Sequence, residues 1–253
     1  MRASCFSPGQ RKESPVTAES RLPGEHVLFT LRKPAPGIFR QQAFPACSKG
    51  GPPPSAGHLA QPLYVSRMSI AAVRPATADD AGEIARIQRE TWRAAYAGLI
   101  GEHALAELDS LDAEREWTLA IEHPATEVLV AIEGGFTVGF CVAGAAPEGE
   151  VADANGELPE DAARTGLIAS LLVEPRWGRR GHAGRLLGTA AAHLRDAGCE
   201  RGITWAAQSD HASLGFFRRA GWKPDGTVRT LDTGETTVRE VRLTGALDFA
   251  LVD

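Results

Sequence analysis

The stretch over residues 171–187, LLVEPRWGRRGHAGRLL, has the residue types and the order of an anion-binding site. An apolar run breaks at Pro175, a turn rich in glycine and arginine follows, and helix-compatible spacing then resumes. Gly178 and Gly181 allow the backbone to turn tightly and to expose its N–H groups, and a helix N-terminus carries partial positive charge. The order predicts a strand, a phosphate-sized loop and a helix that hold an anion, best a pyrophosphate. An ordinary strand-to-helix connection is the alternative that the composition leaves open.

The chain of 253 residues divides into two parts of different composition. Residues 1–67 hold ten of the sixteen prolines and nine Lys and Arg against three Asp and Glu, whereas residues 68–253 carry a net charge of −11. The first part shows no helical or strand period and cannot bury enough apolar surface to offset its ordering entropy. We therefore expect a disordered basic tail over 1–67, dispensable or not native coding sequence if translation begins at Met68, and one domain over 68–253.

Several functional classes are disfavoured by the composition. No apolar run approaches the roughly 18 residues of a membrane helix, so no membrane partner is expected. The acidic domain argues against nucleic acid as a partner. Four cysteines without CxxC spacing indicate reduced thiols in a cytoplasmic protein, and seven histidines without HExxH spacing predict no metal site. A monomer and a homodimer are equally compatible with the sequence.

Hydrophobic periodicity and turn residues predict the elements around the loop. Strands are expected over 73–76, 127–132, 136–145, 165–173, 202–207, 227–231 and 236–243. Helices are expected from Thr77 to 99, over 103–121, from 183 to Gly198, and from Asp210 to Gly221. The apolar strand 165–173 should be central because it alternates poorly. Antiparallel hairpins exclude a doubly wound sheet, so the fold class is a mixed α/β (α+β) domain.

Two further features have a structural and a functional interpretation. Trp92 and Tyr96 lie four residues apart on one helical face, where aromatic residues form either core or a substrate pocket. The polar loop 147–164 is either solvated surface or an attractor of a cationic substrate. Its acidic residues are Glu148, Glu150, Asp153, Glu157, Glu160 and Asp161.

Three motifs in one order make residues 73–245 resemble the GNAT superfamily of acyl-CoA-dependent N-acetyltransferases. The sequence from Val173 to Ala183 resembles the pyrophosphate loop of that family, Arg/Gln-x-x-Gly-x-Gly/Ala. TWRAAYAG, residues 91–98, resembles the N-terminal helix region of many members, and FFRRAGW, residues 216–222, resembles FYxxxGF. The resemblance implies a single GNAT-like domain with a mixed central sheet of about six to seven strands and about four flanking helices.

The resemblance also implies which residues bind acetyl-CoA. The backbone of Leu171, Leu172 and Val173 would pair with the pantetheine amides like an added strand, and one N–H there would stabilise the oxyanion. Asp210 takes the place of a frequent asparagine. The pyrophosphate would lie on the loop formed by Gly178, Arg179, Arg180, Gly181, His182, Ala183 and Gly184, although His182 is better explained as an ordinary loop residue than as a ligand or base.

Two positions depart from the family pattern. Gly178 stands where Arg or Gln is usual, and Phe217 stands where many members carry the tyrosine that protonates the departing thiolate. A positioned general acid contributes about 10² to 10⁴ in rate. Ser213, Ser209 or a water molecule is a possible substitute. Candidates for the base that deprotonates the amine are Glu90, Tyr96, Glu174 and the acidic loop.

The resemblance therefore implies an enzyme that transfers an acetyl group from acetyl-CoA to a primary amine. The acceptor is a small molecule or a protein, and the amine attacks directly in a ternary complex. The alternative is an acyl-CoA-binding regulatory module with little or no turnover, which Phe217 and Gly178 motivate.

Overall fold

The structure, a computed structural model, describes residues 71–107, 112–233 and 236–248. The tail expected over 1–67 and the start proposed at Met68 lie outside the described residues. So do Leu108 and Leu111, which the sequence places on the apolar face of the second helix.

Seven strands and five helices follow one another along the described chain. The strands are β1 (Ala72–Pro75), β2 (Thr126–Glu133), β3 (Phe136–Ala145), β4 (Thr165–Val173), β5 (Arg201–Ala207), β6 (Lys223–Asp232) and β7 (Thr237–Ala246). The helices are α1 (Ala81–Glu107), α2 (Ala113–Glu122), the short α3 (Glu148–Val151), α4 (His182–Asp196) and α5 (His211–Arg219).

The strands form one mixed sheet in the order β1-β2-β3-β4-β5-β7-β6. Only β4 and β5 pair in parallel, and every other neighbouring pair is antiparallel. The predicted fold class is confirmed, and β4 is the fourth of seven strands, as its apolar sequence predicts. β7 lies between β5 and β6, so the terminal hairpin joins the sheet through its second strand.

Each face of the sheet is covered by its own helices. On one face, α4 contributes an apolar stripe that includes Leu186, Leu187 and Leu194, and Phe217 of α5 belongs to the same cluster. On the other face, Ile84 and Ile87 of α1 pack with Trp117 of α2. Residues spaced three or four apart lie on one side of a helix, which is why these helices bury one face.

The predicted break between the first and the second helix is present at Gly101, whose φ is 78° and ψ is 166°, so α1 consists of two helical segments that meet there. Glycine has no Cβ and accepts this conformation. The prediction of one continuous helix over 103–121 is wrong, because the segment after Gly101 ends at Glu107. Helix α2 starts only at Ala113.

The predicted loop 147–164 is also partly helical. It contains α3 and a 3-10 turn at Ala162–Arg164. Arg242 of β7 donates to the carbonyls of Glu150, Val151 and Ala152, 2.8 Å each, and so ties this segment to the sheet. Within the described part of the chain, no helix is long and apolar enough to cross a membrane.

Candidate active site

A cleft opens where the two parallel strands separate. Residues Thr165–Leu167 of β4 pair with residues Arg201–Ile203 of β5. Beyond these residues the two strands diverge. Thr204 Oγ1 donates to the Ile168 carbonyl at 2.9 Å, so a side chain satisfies an acceptor at the divergence. On its other edge β4 pairs with β3, and the register of this pairing shifts between Val142 and Ala143, opposite the point where β4 leaves β5. The second half of β4 therefore presents backbone groups that β5 does not pair.

The cleft is lined by the end of β4, by β5 and by side chains from α1, α5 and β7. The lining residues are Trp92, Tyr96, Ala169, Ser170, Leu171, Leu172, Thr204, Trp205, Ala206, Ala207, Asp210, Ser213, Phe217 and Glu240. The structure thus brings together six of the residues selected from the sequence: Tyr96, Leu171, Leu172, Asp210, Ser213 and Phe217.

The glycine-arginine loop leads from the end of β4 into the N-terminus of α4. A 3-10 turn, Pro175–Trp177, precedes it, and α4 begins at His182 with Gly181 as its N-cap. Gly181 has no side chain to cap the helix, so the first backbone N–H groups of α4 keep no intrahelical acceptor. Such N–H groups at a helix start bind anions.

The two loop glycines do not have the same role. Gly181 has φ +79°, in the left-handed region, as the sequence predicts. Gly178 lies in the predicted turn, but its φ of −61° and ψ of 156° are angles that any residue can adopt, so the turn does not need glycine's left-handed conformation at this position. The second left-handed residue is Arg179, with φ +60°. A Cβ at Gly178 would lie 3.1 Å from the Pro175 carbonyl, so close contact with the preceding turn is the reason that favours glycine there.

Glu133, at the end of β2, holds the loop from outside it, and no motif in the sequence signals this role. Its Oε1 accepts from Arg180 Nη1 at 3.0 Å, and its Oε2 lies 2.7 Å from His182 Nε2. His182 is buried, and Arg180 lies over the Trp177 ring, 4.8 Å from its centroid. One carboxylate therefore fixes two loop side chains on either side of Gly181.

The resemblance to the GNAT superfamily implies that this loop holds the pyrophosphate of acetyl-CoA, and on that expectation replacing Glu133 with glutamine should weaken acetyl-CoA binding without slowing the chemical step. Loss of a charged hydrogen bond to a half-exposed arginine costs about 1 kcal/mol, equivalent to about a fivefold rise in KM for acetyl-CoA. Steady-state kinetics measures this, with kcat expected within twofold of the unchanged protein. Glu127→Gln, on the same strand and 4.0 Å from His193, is the matched control. An equal rise in KM in both variants would contradict the role of Glu133.

Three polar side chains meet at the side of the cleft formed by α1 and α5. Tyr96 Oη donates to Asp210 Oδ2 at 2.6 Å, and Ser213 Oγ donates to the same oxygen at 2.7 Å. Asp210 Oδ1 accepts the Ser213 N–H at 2.9 Å, which makes Asp210 the N-cap of α5, as predicted. Burial, then the charge of Asp210 and its hydrogen bond, raises the pKa of Tyr96 above its usual value. Tyr96 therefore remains a hydroxyl that donates to a carboxylate.

Phe217 lies beside these groups with no polar atom of its own. It is buried and contacts Phe216 and Trp222, with ring centroids 5.1 and 5.4 Å away. The backbone of Val173, by contrast, is at the far end of β4, and its side chain packs on the core under α4.

The other candidate bases do not line the cleft. Glu174 is buried and bound by Arg86, 3.2 Å away, and by Arg176. Glu90 pairs with the same Arg86 at 2.8 Å. In the acidic loop, Glu150 pairs with Arg229 at 2.9 Å, and Asp161 accepts from Arg201. No residue of that loop reaches the cleft lining. Among the described residues, no group of three or more His, Cys, Asp or Glu is arranged to hold a metal ion.

A family model gives this geometry its classification. The model of the acetyltransferase (GNAT) family matches residues 84–222, more than half of the chain. This chain belongs to the GNAT family. The match covers most of α1, the divergent strands, the loop and α5, whereas β1, β6 and β7 lie outside it. A comparison with curated protein sequences finds no match.

Solved GNAT structures have the same fold at low identity. The paia N-acetyltransferase from Thermoplasma acidophilum, solved with coenzyme A, is 14% identical with a TM-score of 0.53, covering 70% of this chain and 99% of that one. An N-acetyltransferase from Staphylococcus aureus Mu50 is 17% identical with a TM-score of 0.56, covering 71% and 100%. The yncA protein from Salmonella typhimurium, solved with its cofactor acetyl-CoA, is 17% identical with a TM-score of 0.51, covering 73% and 98%.

Proposed function

We propose that this GNAT protein transfers an acetyl group from acetyl-CoA to a primary amine of a small molecule or protein, by direct attack in a ternary complex. The observation that carries the proposal is the separation of β4 from β5 beside the loop that starts α4. It joins an extended backbone edge to an anion-binding helix start. These two features match the two ends of an acyl-CoA, amides and phosphates.

Different groups of the chain bind the pyrophosphate and the pantetheine of acetyl-CoA. Backbone N–H groups over 179–184 hold the pyrophosphate, and the backbone of Leu171, Leu172 and Val173 pairs with the pantetheine amides. A backbone N–H of β4 stabilises the negative oxygen that forms when the amine attacks the thioester carbon. Arg179 and Arg180 supply positive charge at the loop. Both are exposed, so their contribution depends on salt.

Tyr96 and Asp210 together transfer the proton of the attacking amine to the departing thiolate. The oxygen of Tyr96 accepts a proton from the attacking amine while its own proton passes to Asp210, 2.6 Å away. The new C–N bond forms, the C–S bond breaks, and the proton returns through Tyr96 to the departing thiolate. Tyr96 and Asp210 end the reaction in the protonation states in which they began, and the products are an amide and free CoA. Ser213 keeps the carboxylate oriented.

Thiol release with a panel of primary amines tests the proposed function. We expect CoA release above the rate of hydrolysis for at least one amine, and we expect calorimetry to show CoA binding. Binding with no release for any amine would overturn the proposal and leave an acyl-CoA-binding module.

Reduced buried thiols at Cys141 and Cys199 suit the cytoplasmic location that we propose.

Phe217→Tyr tests the alignment of α5 with the family motif. Phe217 lines the cleft, so the substitution adds a hydroxyl to the cleft wall. We expect kcat to rise about two- to tenfold, because a second acid next to the thiolate adds part of the usual general-acid factor. Unchanged kcat with intact CoA binding would contradict this placement of residue 217.

A further inference from the structure

The cleft combines aromatic walls with negative charge. Trp92, Tyr96 and Trp205 are aromatic lining residues, and Asp210 and Glu240 are acidic ones. Among the residues that the structure describes, no lysine, arginine or histidine lines this cleft. A ligand that enters it therefore meets carboxylates without a basic lining residue to balance them.

Glu240 is a buried carboxylate that the sequence did not single out. It lies on β7 opposite Ala207 of β5, and only 4% of it is exposed. Its Oε2 accepts from Arg229 Nε and lies within 2.8 Å of Arg229 Nη2. Arg229 also pairs with Glu150 at 2.9 Å. One guanidinium thus serves two carboxylates, and this cluster keeps one net negative charge.

Two carboxylates act on the same point of the cleft. Burial is the largest cause that raises the pKa of Tyr96, the charge of Asp210 is the next, and the charge of Glu240 raises this pKa further. Arg229 lies over the Trp205 ring, 4.1 Å from the centroid, and is not a lining residue of the cleft. Asp210 lies 2.6 Å from the Tyr96 hydroxyl and Glu240 lines the same cleft, so two carboxylates border the space that an acceptor would enter.

Building on the proposed function, we propose that the acceptor is a cationic primary amine with no carboxylate on the carbon beside its nitrogen, and that Glu240 is the residue that enforces this. An ammonium group is attracted by Glu240 and Asp210 before it loses its proton. A carboxylate one carbon away would be buried beside two like charges with no basic lining residue to pair with it. Like-charge juxtaposition in an interior site is strongly unfavourable.

Three acceptors that share one ring test the inference. Tyramine lacks the carboxylate, tyrosinamide has it neutralised, and tyrosine carries it. At saturating acetyl-CoA, we expect kcat/KM for tyramine and for tyrosinamide to exceed that for tyrosine at least about tenfold. Tyrosinamide has the size of tyrosine, so a preference for it isolates charge from size. Agmatine, argininamide and arginine form a second series with a cationic side chain.

The variant Glu240→Gln tests which residue discriminates. We expect the ratio of kcat/KM for tyramine over tyrosine to fall at least about fivefold, mainly through KM for the acceptor. Arg229→Gln is the matched control, because it breaks the same ion pair and keeps the carboxylate, and its ratio should stay equal or rise. If both variants lowered the ratio equally, Glu240 would have only a structural role. Thermal unfolding shows whether both variants are folded. The acceptor series measured on the unchanged protein tests the inference without any variant.

The outcomes separate this inference from the proposed function. Equal kcat/KM for tyrosine and tyrosinamide overturns the inference and leaves acetyl transfer standing. CoA binding without thiol release for all six amines overturns the proposed function, and the inference with it.

Discussion

Tyr96→Phe should lower kcat by about 10² to 10⁴, with KM for acetyl-CoA within twofold of the unchanged protein. The reason is the 2.6 Å hydrogen bond from Tyr96 to Asp210, which is the path of the amine proton in the mechanism that we propose. Burial and the neighbouring carboxylates raise the pKa of Tyr96, so its hydroxyl stays protonated to higher pH than an ordinary tyrosine. The kcat of the unchanged protein should therefore show no loss from tyrosine ionisation below about pH 10. Initial rates of CoA release measure both effects.

A second substitution in the same protein makes this prediction specific. Phe217 lines the same cleft as Tyr96, so Phe217→Tyr in the Tyr96→Phe background supplies a hydroxyl from α5. We expect this double variant to recover at least about tenfold in kcat, part of a general-acid contribution. Ser213→Ala removes a donor to Asp210 but keeps Tyr96, and should cost less than about fivefold. A Tyr96→Phe protein with kcat within twofold would contradict the proton route.

The contacts that the sequence predicts well are local. Asp210 caps α5 three residues before its partner N–H, and Gly181 adopts its left-handed conformation within a short loop. Such features depend on propensities that act over a few residues. The hairpins and the central position of β4 follow from hydrophobic patterns for a related reason, since each strand carries its own period.

The contacts that the sequence does not predict join residues far apart in the chain. Tyr96 and Asp210 are 114 residues apart, and Glu133 reaches His182 over 49 residues. Nothing local marks Glu133 or Glu240 as different from other acidic residues. Their roles arise only when the sheet order places the end of β2 beside the loop and β7 beside β5. The break at Gly101, by contrast, follows from the sequence, because glycine readily accepts the positive φ that separates the two helical segments of α1.

A pair of glycines beneath Trp222 positions α5 and therefore Asp210. Gly202 of β5 and Gly245 of β7 are direct partners in the sheet. A Cβ at Gly245 would lie 2.3 Å from Trp222 Cδ1, and one at Gly202 would lie 2.5 Å from Trp222 Cη2. The indole is fully buried against them, and it follows α5 after two residues. The paired glycines thus form the flat surface on which the end of α5 rests.

Gly245→Ala should destabilise the domain and disturb the cleft together. An extra methyl group in this packed contact costs about 1 to 3 kcal/mol, and for a domain of this size each kcal/mol lowers Tm by about 2–4 °C. Because Trp222 also contacts Phe217, its displacement should move the side chains that α5 contributes to the cleft, and kcat should fall with Tm. Gly149→Ala is the matched control, since nothing lies within 4 Å of its Cβ and it sits in the short helix α3. Calorimetry and CoA release on both variants measure the two effects. A Gly245→Ala protein with unchanged Tm would show that Trp222 does not rest on the paired glycines.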